Sequence, residues 1–550
     1  MNKYKEYIDT WNLIYNLNSD EINSTTGLYN EIKDNLIDAG YFTPQEMIHS
    51  MRKVGLHRLK YRHAYLELMK RIYEEYHCDN DFDIRSLSEA DTANPINEIL
   101  LNDDQKKLYN FLRLGNHNLN EILQFCCEQG AVNCFWALIN TNKVQITKEC
   151  LDSSFLGNNK EIIKECLRAQ KPDSSTMENA IASHNMDNVM KLINKYQLKI
   201  PLDKCADHKN LQVFLEYLKQ TNDINGCFVY SPAFHIQSLC EYFLSKDADI
   251  NYVHQNGDTA LSVAAKEKHN DIAKYLIMKG SDIDQKIFPS GSAFNIAVNP
   301  NNTELVELLN SHEAIIDQIG DITHLTSLHI ATINNNKKVV EILISRGSKI
   351  NTKATKHGFT PLYLALLFNH KEIAQLLISH GAKINTTDFD GNNAIIYALM
   401  HNSRKVKEPL LKQLDIICNF PDDYKNSLIL GSNNNDMIEF LISNGAKVNR
   451  KNFYGNRPLH IAALLSNKEG AEILISHGAE INSLNKNGQT PLDIAVMLNK
   501  KTHEDILKNN KIEMNIVREN NIDFLDSLIE DSEMEALLKS HGEKLIQTAN

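Results

Sequence analysis

The sequence predicts an all-α fold in which helix-turn-helix units stack into a solenoid. Two short phrases recur through its second half, and the apolar residues between them have helical spacing. The recurrence has a period of about 33 residues, which is typical of a stacked repeat. One such unit cannot bury its own apolar face, so neighbouring units must pack together to make a continuous core.

The first phrase, Leu-Ile-Ser-x-Gly-Ala/Ser-Lys-Ile-Asn, ends the second helix of a unit. Its glycine, as at Gly381, suits the left-handed conformation that terminates a helix. Clear copies span residues 343–351, 377–385, 441–449 and 474–482, and weaker copies span 244–251 and 276–284.

The second phrase, Gly-x-Thr-Pro-Leu-x-x-Ala, begins the first helix of a unit. In the copy at residues 358–365, Thr360 suits the N-cap and Pro361 the first helical position, where a missing N–H costs nothing. Its final alanine, or the residue in that register, recurs every 31 to 34 residues and predicts eight registers in a row. These positions are 264, 297, 331, 365, 398, 431 (a glycine), 462 and 495.

These phrases resemble ankyrin repeats over residues 225–510. Residues 117–224 resemble the domain of unknown function that precedes ankyrin repeats in a large trichomonad family. Three stretches carry that second likeness, at residues 127–135, 157–163 and 177–185. We therefore expect an ankyrin-repeat α-solenoid with projecting β-turn loops. The expected domains are an N-terminal helical domain (1–116), divergent ankyrin-like repeats (117–224), ankyrin repeats (225–510) and a C-terminal capping repeat (511–550).

The two irregular regions are the N-terminus and residues 399–424. Thr43-Pro44-Gln45-Glu46 has the spacing of a capping box, and His57 to Tyr76 has helical spacing of apolar residues. We expect residues 1–116 to form a small helical domain that also caps the N-terminal end of the stack. The repeat pattern breaks in residues 399–424. Two interpretations of this break are a local kink and a specialised contact surface.

Composition narrows the class of function. A formal net charge of −12 and a pI near 6.0 disfavour binding to nucleic acid or to an anionic membrane surface. No apolar run is long enough to span a membrane and the charged N-terminus shows no signal peptide, so we expect a cytoplasmic, intracellular protein. The ten cysteines form no CxxC pair, which favours reduced, buried thiols.

No motif for catalysis, for a cofactor or for a metal is evident. The sequence contains no HExxH, GxxxxGK[ST], GxGxxG or GxSxG pattern and no metal-spaced set of Cys and His. We therefore expect no enzyme activity, no cofactor and no metal site. His329 and His460, which fall within the second phrase, are expected to hydrogen-bond to the neighbouring turn.

The leading hypothesis is a non-catalytic scaffold that binds a protein partner, with a monomer favoured. An alternative is a substrate-recognition or regulatory subunit of an enzyme complex, such as a ubiquitin-ligase adaptor, that acts through the N-terminal domain. A third is export as an effector or surface protein, which nothing in the N-terminus supports.

The likeness to ankyrin proteins implies binding through the turn tips and the concave face of the first helices. Phe389, Phe453 and Tyr454 stand out because turn tips are usually polar; as anchors they would dominate binding, or they could fold back on the next repeat. Lys266, Glu267, Leu464 and Leu465, near the ends of first helices, are secondary candidates. The predicted contact residues are Gln255, Asn256, Asp258, Lys356, His357, Phe359, Phe389, Asp390, Asn392, Phe453, Tyr454, Asn456, Lys486, Asn487 and Gln489.

Overall fold

The chain divides into two compact units, residues 1–254 and residues 255–550. The computed structural model describes residues 4–15, 17, 25–57, 62–77, 95–114, 117–286, 292–298, 302–316, 325–354, 357–400, 435–500 and 532–541. Within these ranges the structure is helical, and the one β-bridge joins Ala354 to Phe359, which confirms the all-α repeat fold. No helix in the described ranges is both long and apolar enough to cross a membrane.

The first unit contains sixteen described α-helices. It also contains a π-helical turn at Lys33–Ile37 and a 3-10 turn at Ser231–Phe234. The helices are α1 (Lys5–Tyr15), α2 (Thr25–Ile32), α3 (Pro44–His57), α4 (Arg62–Tyr76), α5 (Pro95–Leu101), α6 (Gln105–Arg113), α7 (Leu119–Gln129), α8 (Val132–Ile139), α9 (Lys148–Gly157), α10 (Lys160–Ala169), α11 (Ser174–Ala182), α12 (Met186–Tyr196), α13 (Leu202–Asp207), α14 (Leu211–Thr221), α15 (Ile224–Tyr230) and α16 (Gln237–Leu244).

From α5 to α16 the first unit is built of helix pairs without projecting turns. First helices pack on first helices, as α7 does on α9, and second helices pack on second helices, as α8 does on α10. The pair α5–α6 packs on α7–α8 in the same way, so the stack begins ahead of residue 117. Asparagines supply several of the N-caps: Asn159, for example, accepts hydrogen bonds from two backbone N–H groups of α10.

Helices α1 to α4 form the N-terminal group, and the expected capping box at Thr43 and Glu46 is present at the start of α3. Residues 1–116 as a whole were expected to cap the N-terminal end of the stack, but this group contacts later helix pairs. Its α1 lies against the loops that join the helices of later pairs: the Tyr15 ring stacks on His184 with centroids 3.9 Å apart. At the N-terminal end of the stack lies the pair α5–α6, which the repeat phrases did not identify.

The eight cysteines that the structure describes are all buried thiols of the first unit. This confirms the expectation for them. Cys127 and Cys166 lie with their sulfur atoms 4.0 Å apart, which is a packing contact between α7 and α10. Small apolar thiols at these positions allow helices to approach closely.

The second unit contains fourteen described helices, arranged as pairs. Within the described part, first helices again pack on first helices and second helices on second helices. The helices are α17 (Ala260–Lys266), α18 (Asn270–Met278), α19 (Ala293–Val298), α20 (Thr303–Ser311), α21 (Ser327–Ile333), α22 (Lys337–Ser345), α23 (Pro361–Leu367), α24 (Lys371–Ser379), α25 (Ala394–Met400), α26 (Asn435–Ser443), α27 (Pro458–Leu464), α28 (Lys468–Ser476), α29 (Pro491–Lys500) and α30 (Ser532–Ser540).

One repeat is interrupted between its two helices. Helix α25 packs on α26, although residues 401–434 separate them in sequence, and both then pack on the pair α27–α28. Hydrogen bonds show the same order, since the Asn385 side chain bonds to the Gly445 carbonyl (2.8 Å) and to the Lys447 N–H (3.0 Å). In an uninterrupted repeat Asn351 makes the same pair of bonds, to Gly381 and Lys383. The terminal asparagine of the first phrase therefore ties each repeat to the next.

The interruption corrects the prediction of eight consecutive registers. The register at Gly431 and the irregular residues 401–424 lie outside the described residues, and the repeats on either side contact each other directly. The described part of the second unit contains seven first helices. The last of them, α29, packs on α30 across residues 501–531, so α30 completes the repeat that α29 begins.

Candidate partner-binding surface

Three turns of the second unit are closed by the side chain of their first residue. They are residues 388–392, 452–456 and 485–489, called here the three C-terminal turns. Asp388, the first residue of its turn, accepts hydrogen bonds from the backbone N–H groups of Asp390 (2.9 Å) and Asn392 (2.7 Å). Asn452 and Asn485 accept equivalent bonds in the other two turns. The sequence specifies this shape because a short Asp or Asn side chain can satisfy the N–H groups two and four residues later.

Backbone hydrogen bonds join each turn to the one before it. Phe389 donates its N–H to the His357 carbonyl (3.0 Å), and Phe453 donates to the Asp390 carbonyl (2.9 Å). Lys486 continues the series with a 3.0 Å bond to the Tyr454 carbonyl. The turn tips are therefore fixed relative to one another before any partner arrives.

A series of hydrogen bonds between side chains runs beneath the same turns. Asn452 donates its amide to the Asn392 oxygen at 3.0 Å, and Asn485 does the same to Asn456. Asn392 in turn donates to Asp388 at 2.9 Å. Because buried polar groups must find partners, this series of hydrogen bonds holds the three C-terminal turns in one arrangement.

The aromatic rings at the tips are both packed and exposed. Phe389 keeps 54% and Phe453 keeps 61% of its surface accessible. Each ring lies against the glycine of the preceding turn: a Cβ added at Gly358 would come within 3.0 Å of the Phe389 ring, and one added at Gly391 would meet Phe453. The ammonium of Lys353 lies 5.1 Å from the centroid of the Phe389 ring. These rings thus pack on the turn before them, and more than half of each ring's surface stays exposed.

The other predicted contact residues differ in accessibility. The exposed side chains besides the two phenylalanines are Gln255, Asn256, Lys486 and Asn487, and the half-buried ones are Asp390, Tyr454 and Gln489. Lys356 lies outside the described residues. Burial raises the pKa of Asp390, as does the neighbouring Asp388 carboxylate.

Five predicted contact residues are buried, and we leave them out of the proposed surface. Phe359 is fully buried and packs edge-on to the Tyr397 ring, with centroids 5.6 Å apart. Asn392 belongs to the buried hydrogen-bond chain described above. The remaining buried residues are Asp258, which pairs with Lys266, and His357 and Asn456.

The prediction that a partner binds to the concave face of the first helices also needs correction. Every residue of α21, α23 and α25 is buried, so these helices present no exposed face to a partner. Helices α23 and α25 are apolar nearly throughout, as in Ala394-Ile395-Ile396-Tyr397-Ala398-Leu399-Met400, which is the composition of a helix surrounded by core. Among the secondary candidates, Lys266 is exposed, whereas Glu267, Leu464 and Leu465 are half-buried.

The expected role of the two repeat histidines is confirmed. The Nε2 atom of His329 lies 3.2 Å from the Phe359 carbonyl, and that of His460 lies 3.2 Å from the Gln489 carbonyl. Each ring thus links the start of a first helix to the next turn. Burial lowers the pKa of His460 to about 4, so the ring is neutral in the folded protein near pH 7.

This lowered pKa predicts a loss of stability in mild acid. The folded ring resists protonation, whereas an unfolded chain with an ordinary histidine pKa of about 6.5 takes up the proton more readily. The free energy of unfolding should therefore fall by up to about 3 kcal/mol as the pH drops from about 6.5 to 4, and this contribution should change no further below that range. Urea unfolding at several pH values, followed by far-UV circular dichroism, measures it.

The matched variant is His460→Ser, since Ser262 occupies the same register in the repeat that begins with α17. Groups other than His460 titrate in both proteins and cancel in the comparison. The variant should lose the part of the pH dependence between about 6.5 and 4 that His460 contributes. Parallel pH profiles for the two proteins would contradict the prediction.

Sequence comparisons match the two parts of the chain to two kinds of family. Residues 256–287 match the ankyrin repeat, and residues 289–354, 351–422 and 427–518 match a model of three ankyrin repeats. Residues 141–217 match a domain of unknown function, DUF3447. No curated protein matches the chain. Among solved structures, the ankyrin repeat domain of Bcl-3, described as a unique member of the IkappaB protein family, is 20% identical with a TM-score of 0.35. That match covers 47% of this chain and 100% of the Bcl-3 domain.

Proposed function

Because the chain is an ankyrin-repeat protein whose repeats follow a DUF3447 domain, we propose that it is a non-catalytic scaffold that holds a protein partner on the three C-terminal turns. Ankyrin repeats support a role in protein–protein interaction. The binding mode rests on one observation: Phe389 and Phe453 are more than half exposed although their turns are rigidly held.

Rigid, half-exposed rings are suited to binding. A phenylalanine ring offers a large apolar area, and aromatic anchors contribute much of the energy at protein interfaces. Backbone hydrogen bonds through Phe389, Phe453 and Lys486 already fix the turns relative to one another. The turns therefore lose little conformational entropy when a partner binds. Tyr454, the residue after Phe453, is half-buried and is therefore partly accessible to the same partner.

The test is affinity capture from cell lysate with the wild-type chain and the variant Phe389→Ala, Phe453→Ala, Tyr454→Ala. We expect the variant to lose a specific partner, with an affinity at least about tenfold weaker once that partner is purified. Far-UV circular dichroism and the melting temperature establish that both proteins are folded.

The matched control removes three aromatic rings of similar exposure in the first unit: Tyr109→Ala, Phe125→Ala, Tyr242→Ala. This variant should retain the partner. An unchanged set of partners after removal of the tip aromatics would count against the proposal and would direct attention to the N-terminal helices, where an adaptor or regulatory role would be sought.

A further inference from the structure

The turn edge of the second unit is basic from residue 346 onward, although the chain as a whole carries a net charge of −12. From residue 346 onward, the described turns and their flanks (346–354, 357–359, 380–392, 444–457 and 477–490) contain nine Lys and Arg side chains and three carboxylates. The cations are Arg346, Lys349, Lys353, Lys383, Lys447, Arg450, Lys451, Arg457 and Lys486, and the carboxylates are Asp388, Asp390 and Glu480. The overall acidity of the sequence conceals this local excess of positive charge.

The three carboxylates do not neutralise this edge. Asp388 is buried beneath the turns, where its oxygens accept hydrogen bonds. Asp390 is half-buried, and Glu480 is already paired with Arg457 at 2.6 Å. No carboxylate within the described residues pairs with the exposed side chains of Lys353, Lys451 or Lys486.

Lys353 lies beside an exposed ring, and the other two lysines flank or belong to the turns that follow. Lys353 is placed over Phe389 by the 5.1 Å contact, and Lys451 is two residues before Phe453 in the next turn. Lys486 follows, with its backbone lying against Gly455. In sequence order, cations and aromatic rings thus alternate along the turns that the backbone hydrogen bonds join into a ridge.

We propose that this ridge, defined by Lys353, Phe389, Lys451, Phe453 and Lys486, binds an acidic, extended segment of the partner protein. The inference rests on the proposed function, since it specifies the chemistry of the partner held on the same turns. Carboxylates of the segment pair with the lysines, and its apolar side chains contact the exposed edges of the two rings. Complementary charge of this kind raises the association rate and excludes basic competitors.

A protein segment fits this ridge better than a single-stranded nucleic acid. Base stacking needs an open ring face, whereas the Phe389 ring has the Gly358 backbone beneath it and the Lys353 ammonium over it. The net charge of −12 also repels a long polyanion that extends beyond the ridge. A short acidic segment brings few charges and leaves the ring edges available for apolar contact.

The experiment uses the full chain and a fluorescent peptide of about twelve residues in which glutamates alternate with leucines and serines. An extended chain rises about 3.3 Å per residue, so this length spans about four repeats that are about 10 Å apart. Fluorescence anisotropy at increasing salt gives the affinity. The same peptide with glutamine in place of glutamate, and a single-stranded DNA of similar length, are measured alongside.

The test variant is Lys353→Gln, Lys451→Gln, Lys486→Gln, and a second variant carries arginine at the same three positions. A matched control with the same change in net charge removes exposed lysines of the second helices: Lys274→Gln, Lys338→Gln, Lys371→Gln. We expect the test variant to bind the acidic peptide at least about tenfold more weakly, while the arginine variant and the control stay within about twofold of the wild type. Wild-type affinity should fall as salt rises.

Three outcomes would overturn the inference: no binding of the acidic peptide by the wild type, equal binding of the glutamine peptide, or equal binding by the test variant and the control. Tighter binding of the DNA that depends on the same lysines would assign the ridge to nucleic acid instead. A captured partner that is lost on removal of the tip aromatics and retained by the lysine variant would leave the proposed function standing without this inference.

Discussion

Replacing Asp388 with alanine is expected to destabilise the second unit by about 3–5 kcal/mol. The carboxylate is 3% exposed and accepts four hydrogen bonds. Two come from the backbone N–H groups of Asp390 and Asn392, one from the Asn392 amide and one from the Tyr397 hydroxyl at 2.5 Å. Alanine would leave these buried donors without an acceptor, and each unsatisfied donor costs about 1–3 kcal/mol before relaxation.

The neighbouring turns supply the matched variant, Asp388→Asn. Asn452 and Asn485 occupy the same register and close their turns through the same pair of backbone N–H groups. Asparagine at 388 should therefore preserve the turn and lose only the bonds to Asn392 and Tyr397, at a cost well below that of alanine. Urea unfolding followed by far-UV circular dichroism gives the difference in free energy of unfolding.

Hydrogen exchange locates the effect. The amides of Asp390 and Asn392 should exchange faster in the alanine variant than in the asparagine variant, and so should the amide of Phe453, which bonds to the Asp390 carbonyl. Equal destabilisation by the two substitutions would show that the charge, and not the turn closure, is what the fold requires at this position.

The sequence predicted the helix starts of the repeats because their signals are local. A threonine followed by proline fixes both the N-cap and the first turn, and Thr360 accepts the N–H of Tyr363 as the phrase requires. Glycine at the end of a second helix is equally local, and Gly381 adopts a φ of +93°. Such signals need no knowledge of what the helix packs against.

The pairing of helices was not predictable in the same way. A phrase indicates that a helix begins, but it carries no information about which later helix completes the repeat. Residues 401–434 and 501–531 separate α25 from α26 and α29 from α30, and only the tertiary contacts reveal those pairs. The position of α1 against the loop at His184 is likewise a tertiary fact without a local signal.

Within the candidate surface, the position in the turn decides accessibility more than residue type does. Phe389 and Phe453 are the second residues of their turns and are exposed, whereas Asn392 and Asn456 are the fifth residues and are buried. Phe359 holds the fifth position before α23 and is fully buried. Aligning the turns would have separated the two classes, because the fifth residue leads directly into the first helix and its core.

Replacing Gly391 with alanine is expected to cost about 3–4 kcal/mol, from two sources. Its φ of +82° disfavours any residue with a Cβ by about 1–2 kcal/mol. The new Cβ would also lie 2.7 Å from the Phe453 backbone nitrogen and 2.8 Å from its ring. The nitrogen cannot retreat without breaking its bond to the Asp390 carbonyl, so the clash must separate two neighbouring turns.

Gly445→Ala isolates the first source from the second. Gly445 has a φ of +88°, and an added Cβ there would meet nothing within 4 Å, so this variant should lose only about 1–2 kcal/mol. The urea midpoints of the two variants, compared at equal slope, give the cost of the turn-to-turn contact. If the two glycines prove equally costly to replace, the turns separate freely and cannot hold the Phe453 ring in place. A larger loss at Gly391, accompanied by weaker partner capture, would show that the packing of one turn on the next is what positions that ring.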